Sequence, residues 1–338
     1  MNKVANFTDE ERSELFQATS TEYGLEPAII EKDFWVCFML DHLFHHSNYA
    51  KFLVFKGGTS LSKGYHLIDR FSEDIDIILD WRQLGYKTNE PYDKRSNSQQ
   101  DNFSLEMANR TQKYLETVFV PELDKSLSDV LQQPYQILVD NTHSETVTFI
   151  YPSLFTDKSL LQEIKLEIGP LAAWTPNEPV AITPYAAEKY PAVFDSAVTI
   201  VPTVKAERTF WEKATILHRE ANRTNRQYPA RYSRHYYDLY KMAKSYVKNT
   251  ALSDRALLET VVKFKEKFYR QHWAAYNDVL QGNLKLVPGN HEAVKVFTAD
   301  YQHMQNMLFG NIPSFNNILE CLGSLEKEIN STVLEGIK

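Results

Sequence analysis

Cysteine is nearly absent: Cys37 and Cys321 are the only two in 338 residues. A disulfide framework or a zinc-ligand set needs more thiols at tighter spacing, so two buried, reduced thiols are expected. The N-terminus, MNKVANFTDEERSELF, turns charged at once and lacks the apolar stretch of a secretory signal. The longest apolar run is Phe34 to Leu40, far short of the roughly 20 residues that span a bilayer. A cytoplasmic protein with no membrane partner is the expectation. Glycine is scarce as well, at 11 residues, so each glycine cluster carries information. The chain also lacks an excess of basic charge. Lys and Arg total 37 against 44 Asp and Glu, a net charge of -7, which excludes a uniformly basic nucleic-acid coat. What remains is an ordinary globular balance, 43% hydrophobic and 24% charged, which excludes disorder throughout.

The length suits two packed lobes. Thr8 and Glu11 have the spacing of a capping box and open a first helix. Glu26-Pro27 opens a second, apolar on a wide face. Lys51 to Lys56 reads as a strand broken by Gly57-Gly58. Thr59 to Ile68 then reads as a short helix, Ile75 to Leu79 as a strand, and the polar segment 82–102 as an exposed loop. Helical patterns fill 103–132 with a break at Pro121. Strand patterns follow at Gln136 to Val139, Thr146 to Tyr151 and Glu163 to Ile168, then proline-rich extended pieces to Pro202. Helix patterns occupy 206–221, 233–248, 253–271, 291–309 and 315–333. The expected fold class is therefore α/β, or α+β: a mixed-sheet lobe over 1–203 and an all-helical lobe over 204–338.

Charge changes at the same boundary. Lys205 to Lys248 holds eleven Lys or Arg against four Asp or Glu, a local +7 that leaves -14 on the rest. An acidic body with one basic segment suits a polyanionic ligand held locally. Solvated helix faces would give the same count.

Chemistry concentrates in Lys56-Gly57-Gly58-Thr59-Ser60-Leu61-Ser62-Lys63-Gly64 and Arg70-Phe71-Ser72-Glu73-Asp74-Ile75-Asp76-Ile77. The first is a strand running into two glycines at a helix start, where free N–H groups suit a phosphate. A strand-to-helix turn also needs glycine for backbone reasons alone. In the second, strand alternation puts Asp74 and Asp76 on one face and Ile75 and Ile77 on the other. Two carboxylates so placed repel unless a hard divalent cation resolves the conflict. An exposed edge strand with solvated acids is the alternative, and the apolar run Ile77-Ile78-Leu79 argues against it. Ile164-Lys165-Leu166-Glu167-Ile168 alternates in the same way and offers Glu167 as a third acid. Asp74, Asp76 and Glu167 are thus a candidate metal triad of the kind used in phosphoryl and nucleotidyl transfer.

With these motifs in place the chain resembles the AbiEii/AbiGii toxin family, nucleotidyltransferases with a DNA polymerase β-like core. The resemblance rests on Glu31-Lys32-Asp33-Phe34-Trp35-Val36, KGGTSLSKGY, RFSEDIDI, Lys165-x-Glu167, Glu207-Arg208-Thr209-Phe210-Trp211-Glu212-Lys213 and Arg234-His235-Tyr236-Tyr237-Asp238-Leu239-Tyr240, in order along about two thirds of the chain. It implies that Gly57, Gly58, Thr59 and Ser60 cradle the nucleotide phosphates, with Lys165 and Arg208 also on the nucleotide. It implies that Asp74 and Asp76 hold Mg²⁺ (or Mn²⁺), that Lys213 contacts the triphosphate, and that Asp238 is the acid of the last motif. It further implies an NTP substrate, an RNA acceptor such as tRNA, a cognate antitoxin, and a place in toxin–antitoxin or phage-defence loci. Thirteen residues separate Ser60 from Asp74, more than most of the superfamily has, and the third acid is Glu where many members carry Asp. Thr59, Ser60 and Ser62 all remain candidates for the phosphate.

Read from the residues alone, Phe210 and Trp211 are core, and Asp238 among aromatics needs a cationic partner, Lys213 or an arginine. Arg231, Arg234 and His235 suit phosphate or a solvated turn. His42, His45 and His46 end a helix, where they complement its dipole. The roles of Glu31, Lys32 and Asp33 are not fixed by the sequence, nor is any role for 250–338. The expected activity is NMP transfer from an NTP to an RNA hydroxyl. The alternatives are a nucleotide- or RNA-binding module without turnover, and transfer to a protein or small-molecule hydroxyl.

Overall fold

A computed structural model describes residues 1–335 apart from 141, 142, 144, 158, 159 and 226. The chain divides into two compact units, Met1–Gly64 with Ser72–Val204, and Tyr65–Phe71 with Lys205–Lys338. The second unit takes up the chain at Lys205 and also includes residues 65–71, which precede β2 in sequence.

The first unit is built on a seven-stranded mixed sheet. Its strands are β1 (Leu53–Lys56), β2 (Ile75–Leu79), β3 (Gln136–Val139), β4 (Thr146–Ile150), β5 (Ile164–Gly169), β6 (Asn177–Ile182) and β7 (Thr199–Val204). The order across the sheet is β3-β4-β5-β2-β1-β7-β6. β2 is central, antiparallel to β1 and parallel to β5. Pro179 lies on β6, an edge strand, where a missing N–H costs no ladder bond.

One sheet face is covered. Leu53, Phe55, Ile75, Ile77, Leu79, Val147, Phe149, Ile164, Leu166 and Ile168 point into the main core, with Phe34, Trp35 and Phe38 of the helix Pro27–Asp41. Period-2 alternation sends their neighbours Lys56, Asp76, Lys165 and Glu167 to the other face. There a small apolar group, Ile78, Ala172 and Val204 with Val54 and Trp174, is packed.

Helix starts follow local chemistry. Thr8 and Glu11 form the capping box predicted for Asp9–Tyr23. Ser96 and Gln99 form another for Asn97–Tyr114, inside the segment read as loop; its polar composition hid a cap and a helix of low apolar content. Pro121 sits in the first turn of Val120–Ser128, where its missing N–H is harmless. The turn after β1 is helical over Gly57–Gly64 and ends there, not at Ile68.

The second unit is helical: Ala206–Ala221, Ser233–Ala243, Val247–Ser253, Arg255–Phe268, His291–Met304 and Phe315–Glu335. Phe210 and Trp211 are buried in it, with the Trp211 indole N–H donating to the Ala251 carbonyl at 3.2 Å. The segment 65–71 is tied in by a bridge from Arg70 to Leu308 and a bond from the Phe71 N–H to the Met307 carbonyl at 2.9 Å. No helix among the described residues is long and apolar enough to cross a membrane.

Candidate active site

The sheet register assembles a polar row on its open face. Lys56 of β1 lies opposite Asp76 of β2, Asp76 lies beside Glu167 of β5, and Glu167 lies opposite Thr146 of β4. Neighbouring strands are about 4.8 Å apart, so Asp76 has a cation on one flank and a carboxylate on the other. Asp74 immediately precedes β2, and Lys165 is on the same face as Glu167, two residues away.

Gly57 makes room for this row. It has φ of +85°, and a Cβ built on it would stand 1.8 Å from Oδ2 of Asp76. The Asp76 carboxylate therefore lies directly against the backbone of the turn, and Gly57 is required both by the left-handed conformation and by that approach. Thr59 and Ser60 are fully buried. The Thr59 hydroxyl donates to the Asp74 carbonyl, and the Ser60 hydroxyl donates to the Gly57 carbonyl at 2.8 Å. Ser62 donates to the Thr59 carbonyl at 3.3 Å. All three hydroxyls tie the turn to itself or to the strand entry. Any cradle for phosphate is thus a matter of the backbone at Gly57 and Gly58.

A further acid of this unit was missed in the sequence. Glu145, in the turn before β4, brings its carboxylate to 3.0 Å from where a Gly169 Cβ would stand. Burial raises its pKa and Lys56 partly offsets the rise. Nothing in the local pattern marks it, since it precedes its strand and its neighbours are reached through sheet pairing.

Asp76 and Glu167, adjacent in register and hard in donor character, fit Mg²⁺ or Mn²⁺ by chemistry. The predicted triad is not assembled as such: among the described residues no three Asp, Glu, His or Cys side chains stand close enough together to hold a metal ion. The histidines at the end of Pro27–Asp41 are no site either. His42 is buried with Nε2 2.8 Å from the Ser126 hydroxyl, and burial, helped by His46, takes its pKa down to about 4. A neutral ring cannot complement the helix dipole as a cation would.

Arg208, Lys213 and Asp238 lie in the helical unit. Asp238 is fully buried between Arg70, at 2.7 and 2.9 Å, and Lys213, at 2.7 Å. Burial opposes its ionisation, but the two cations outweigh that and hold it well below the usual carboxylate range. Burial lowers the Lys213 pKa, Asp238 counters this, and Arg70 adds to the lowering. One acid thus serves two cations. Arg70 was not singled out in the sequence, although it stands four residues before Asp74. Arg208 has no exposed surface and lies against Glu212 at 3.1 Å and the face of Phe264.

The basic segment is also less open than its count suggests. Arg219 and Arg223 both pair with Glu220, Lys241 pairs with Asp69 and Lys248 with Glu328. Arg231 and Lys244 stay exposed.

No protein of curated function matches the chain in sequence. Among solved structures it is similar to MenT4, the nucleotidyltransferase toxin Rv2826c from Mycobacterium tuberculosis H37Rv. The identity is 16% over 97% of this chain and 98% of that one, with a TM-score of 0.47, too loose to carry an argument. The profile described as "Nucleotidyl transferase AbiEii toxin, Type IV TA system" matches residues 39–321. That span is most of the chain, and the chain therefore belongs to the AbiEii family of nucleotidyl transferase toxins of type IV toxin–antitoxin systems.

Proposed function

We propose that this nucleotidyltransferase toxin moves an NMP unit from an NTP to a hydroxyl of RNA, with tRNA the first acceptor to test. The observation that carries the reading is the row Lys56–Asp76–Glu167, with Gly57 stripped of a side chain where the Asp76 carboxylate comes to rest. Asp76 and Glu167 are the residues that would hold Mg²⁺ or Mn²⁺, with Asp74 next to them at the entry of the same strand as Asp76. Such an ion would offset the charge of the phosphates.

The chain's own residues do the rest. The backbone of Gly57 and Gly58 receives the phosphates, and Thr59 and Ser60 stiffen that turn. Lys56 and Lys165, on the same face, offset negative charge near the nucleotide. Glu167 either joins the ligands of the ion or accepts the proton of the attacking hydroxyl. A bond forms from that oxygen to the α-phosphorus, the α–β bridging P–O bond breaks, and pyrophosphate departs with the electron pair. Lys213 is assigned to the triphosphate as the lysine of the Glu207–Lys213 motif. Asp238, buried between it and Arg70, orients Lys213. An antitoxin is the expected protein partner, as the type IV class implies.

The test incubates the purified protein with each α-labelled NTP, Mg²⁺ or Mn²⁺, and a total RNA pool. Wild type should label RNA and release pyrophosphate, and Asp76→Ala should lose at least about a thousandfold, the scale of removing a central electrostatic group. Equal labelling by the variant would sink the assignment. Nucleotide binding without pyrophosphate release identifies a binding module. Mass spectrometry of labelled material identifies a protein or small-molecule acceptor. Growth arrest on induction, relieved by a neighbouring antitoxin gene, tests the toxin partner.

A further inference from the structure

The helix Pro27–Asp41 carries three consecutive charged residues, and all three are buried: Glu31 is 0%, Lys32 2% and Asp33 2% exposed. Consecutive residues on a helix point about 100° apart, so the three reach three different segments. Glu31 accepts from the backbone N–H groups of Leu154 at 2.8 Å and Phe155 at 3.1 Å, and from the Ser153 hydroxyl at 3.3 Å. Lys32 pairs with Glu73 at 2.7 Å and donates to the Leu161 carbonyl at 2.9 Å. Asp33 pairs with Lys63 at 2.9 Å and accepts from the Tyr185 N–H at 2.7 Å. The Lys63 ammonium also sits 3.6 Å from the centre of the Tyr185 ring. Burial opposes its charge, but Asp33 outweighs this and keeps it protonated.

Apolar side chains would fill this layer at lower cost than buried ions. What the charges add is fixed position, and the positions are those of the site. Glu73 is the residue before Asp74. Lys63 closes the helical turn that begins at Gly57. Leu161 lies just ahead of β5, which carries Glu167. Leu154 and Phe155 follow β4, which pairs with β5. The entry of the strand bearing Asp76, the Gly57–Gly64 turn and the segments next to β4 and β5 therefore each have an arm to this one helix.

We propose that Lys32 and Asp33 are positioning residues of the active site. Lys32 acts through Glu73 on the entry of the strand bearing Asp74 and Asp76. Asp33 acts through Lys63 on the Gly57–Gly64 turn, and Glu31 anchors the loop after β4. The proposal rests on the reading of these acids and this turn as the site of nucleotidyl transfer.

The test is kinetic and structural together. Lys32→Met should lower kcat about 10- to 100-fold, the scale of a displacement near 1 Å, with the KM for the NTP within about twofold. Lys32→Arg should recover most of the loss. The double variant Lys32→Met/Glu73→Gln should be no slower than the slower single variant, because both cut one link. Amides of Asp74–Leu79 should exchange faster in Lys32→Met. Asp33→Asn should instead raise the KM. Leu123→Ala, in the buried face of Val120–Ser128, is the control for destabilisation alone and should keep kcat. Should Lys32→Met fail to fold, Glu73→Gln, on a residue with 16% of its side chain exposed, carries the same kinetic and exchange readouts. A folded Lys32→Met with wild-type kcat, single losses that multiply in the double variant, or an equal kcat loss in Leu123→Ala each overturns the proposal. If wild type transfers no nucleotide, the functional reading fails. The exchange arm still decides whether Lys32 holds the strand entry, and unchanged protection there overturns it.

Discussion

In the sheet unit, Glu31, Lys32 and Asp33 each meet their own partners, an opposite charge or backbone groups. In the helical unit Asp238 alone faces both Arg70 and Lys213. Both sets are buried and both span long stretches of sequence, yet their balance differs. The first spreads its charges over separate partners, as expected of a device that places loops. The second draws two cations onto one carboxylate. Holding three charges in one buried place has a cost that packing alone would not select. It suits a residue assigned to an anionic phosphate chain, and the contrast separates placement from recognition.

The largest effect should come from breaking the Arg70–Asp238–Lys213 cluster. Asp238→Asn removes the acid that both cations share and leaves two buried charges facing each other. A loss of about 3–5 kcal/mol is expected, the usual result of removing one partner from a buried ionic set. Urea midpoints for the wild type and the variant measure it. The sign with pH follows from the lowered Asp238 pKa. Its stabilisation is present above the unfolded value near 4 and is lost only as pH falls below it. A variant within about 1 kcal/mol of wild type would mean that the two cations are not held by Asp238, and the contrast would fail.

Gly57→Ala tests the sheet unit at its tightest point. Alanine at φ of +85° is strained, and its Cβ would overlap the Asp76 carboxylate at 1.8 Å. Strain of about 1–2 kcal/mol and overpacking of about 1–3 kcal/mol should add, with at least tenfold loss of transfer. Gly24 is the matched control. It has φ of +64° with nothing within 4 Å of the added Cβ, so Gly24→Ala should show the strain alone and keep activity. Equal activity losses at the two positions would remove the special role of the Gly57–Asp76 approach.

The legible parts of the molecule were those set by local pattern. Ile75–Leu79 stands where the alternation put it, and alternation alone predicted that Asp76 and Glu167 share the open face. Family membership followed from motifs in order. The illegible parts depend on distant partners. Glu31, Lys32 and Asp33 look like a polar interruption in an apolar helix, because their partners lie 30 to more than 150 residues away. Arg70 binds an acid 168 residues on, which is why 65–71 joins the helical unit against its sequence neighbours. The burial of Arg208 was not legible, because helical periodicity shows which residues share a face, not which face is covered.

Buried histidines give the smallest effect and still compare the units. His42 is buried in the sheet unit, and His218 and His235 belong to the helical unit. Burial lowers the pKa of all three. A histidine whose folded pKa lies below its unfolded value near 6.5 contributes stability above that pH and loses it as pH falls toward the folded value. For His42 the window runs from about 6.5 down to about 4, worth on the order of 2 kcal/mol after local relaxation. Urea midpoints from pH 7 to pH 4.5 should therefore fall. The fall should be shallower in His42→Gln, which keeps a polar group near Ser126 but does not titrate. With two such residues against one, the helical unit should lose more of its amide protection than the sheet unit over the same range. An unchanged slope in His42→Gln would show that this ring titrates alike in both states, and equal loss in the two units would remove the pH arm of the contrast.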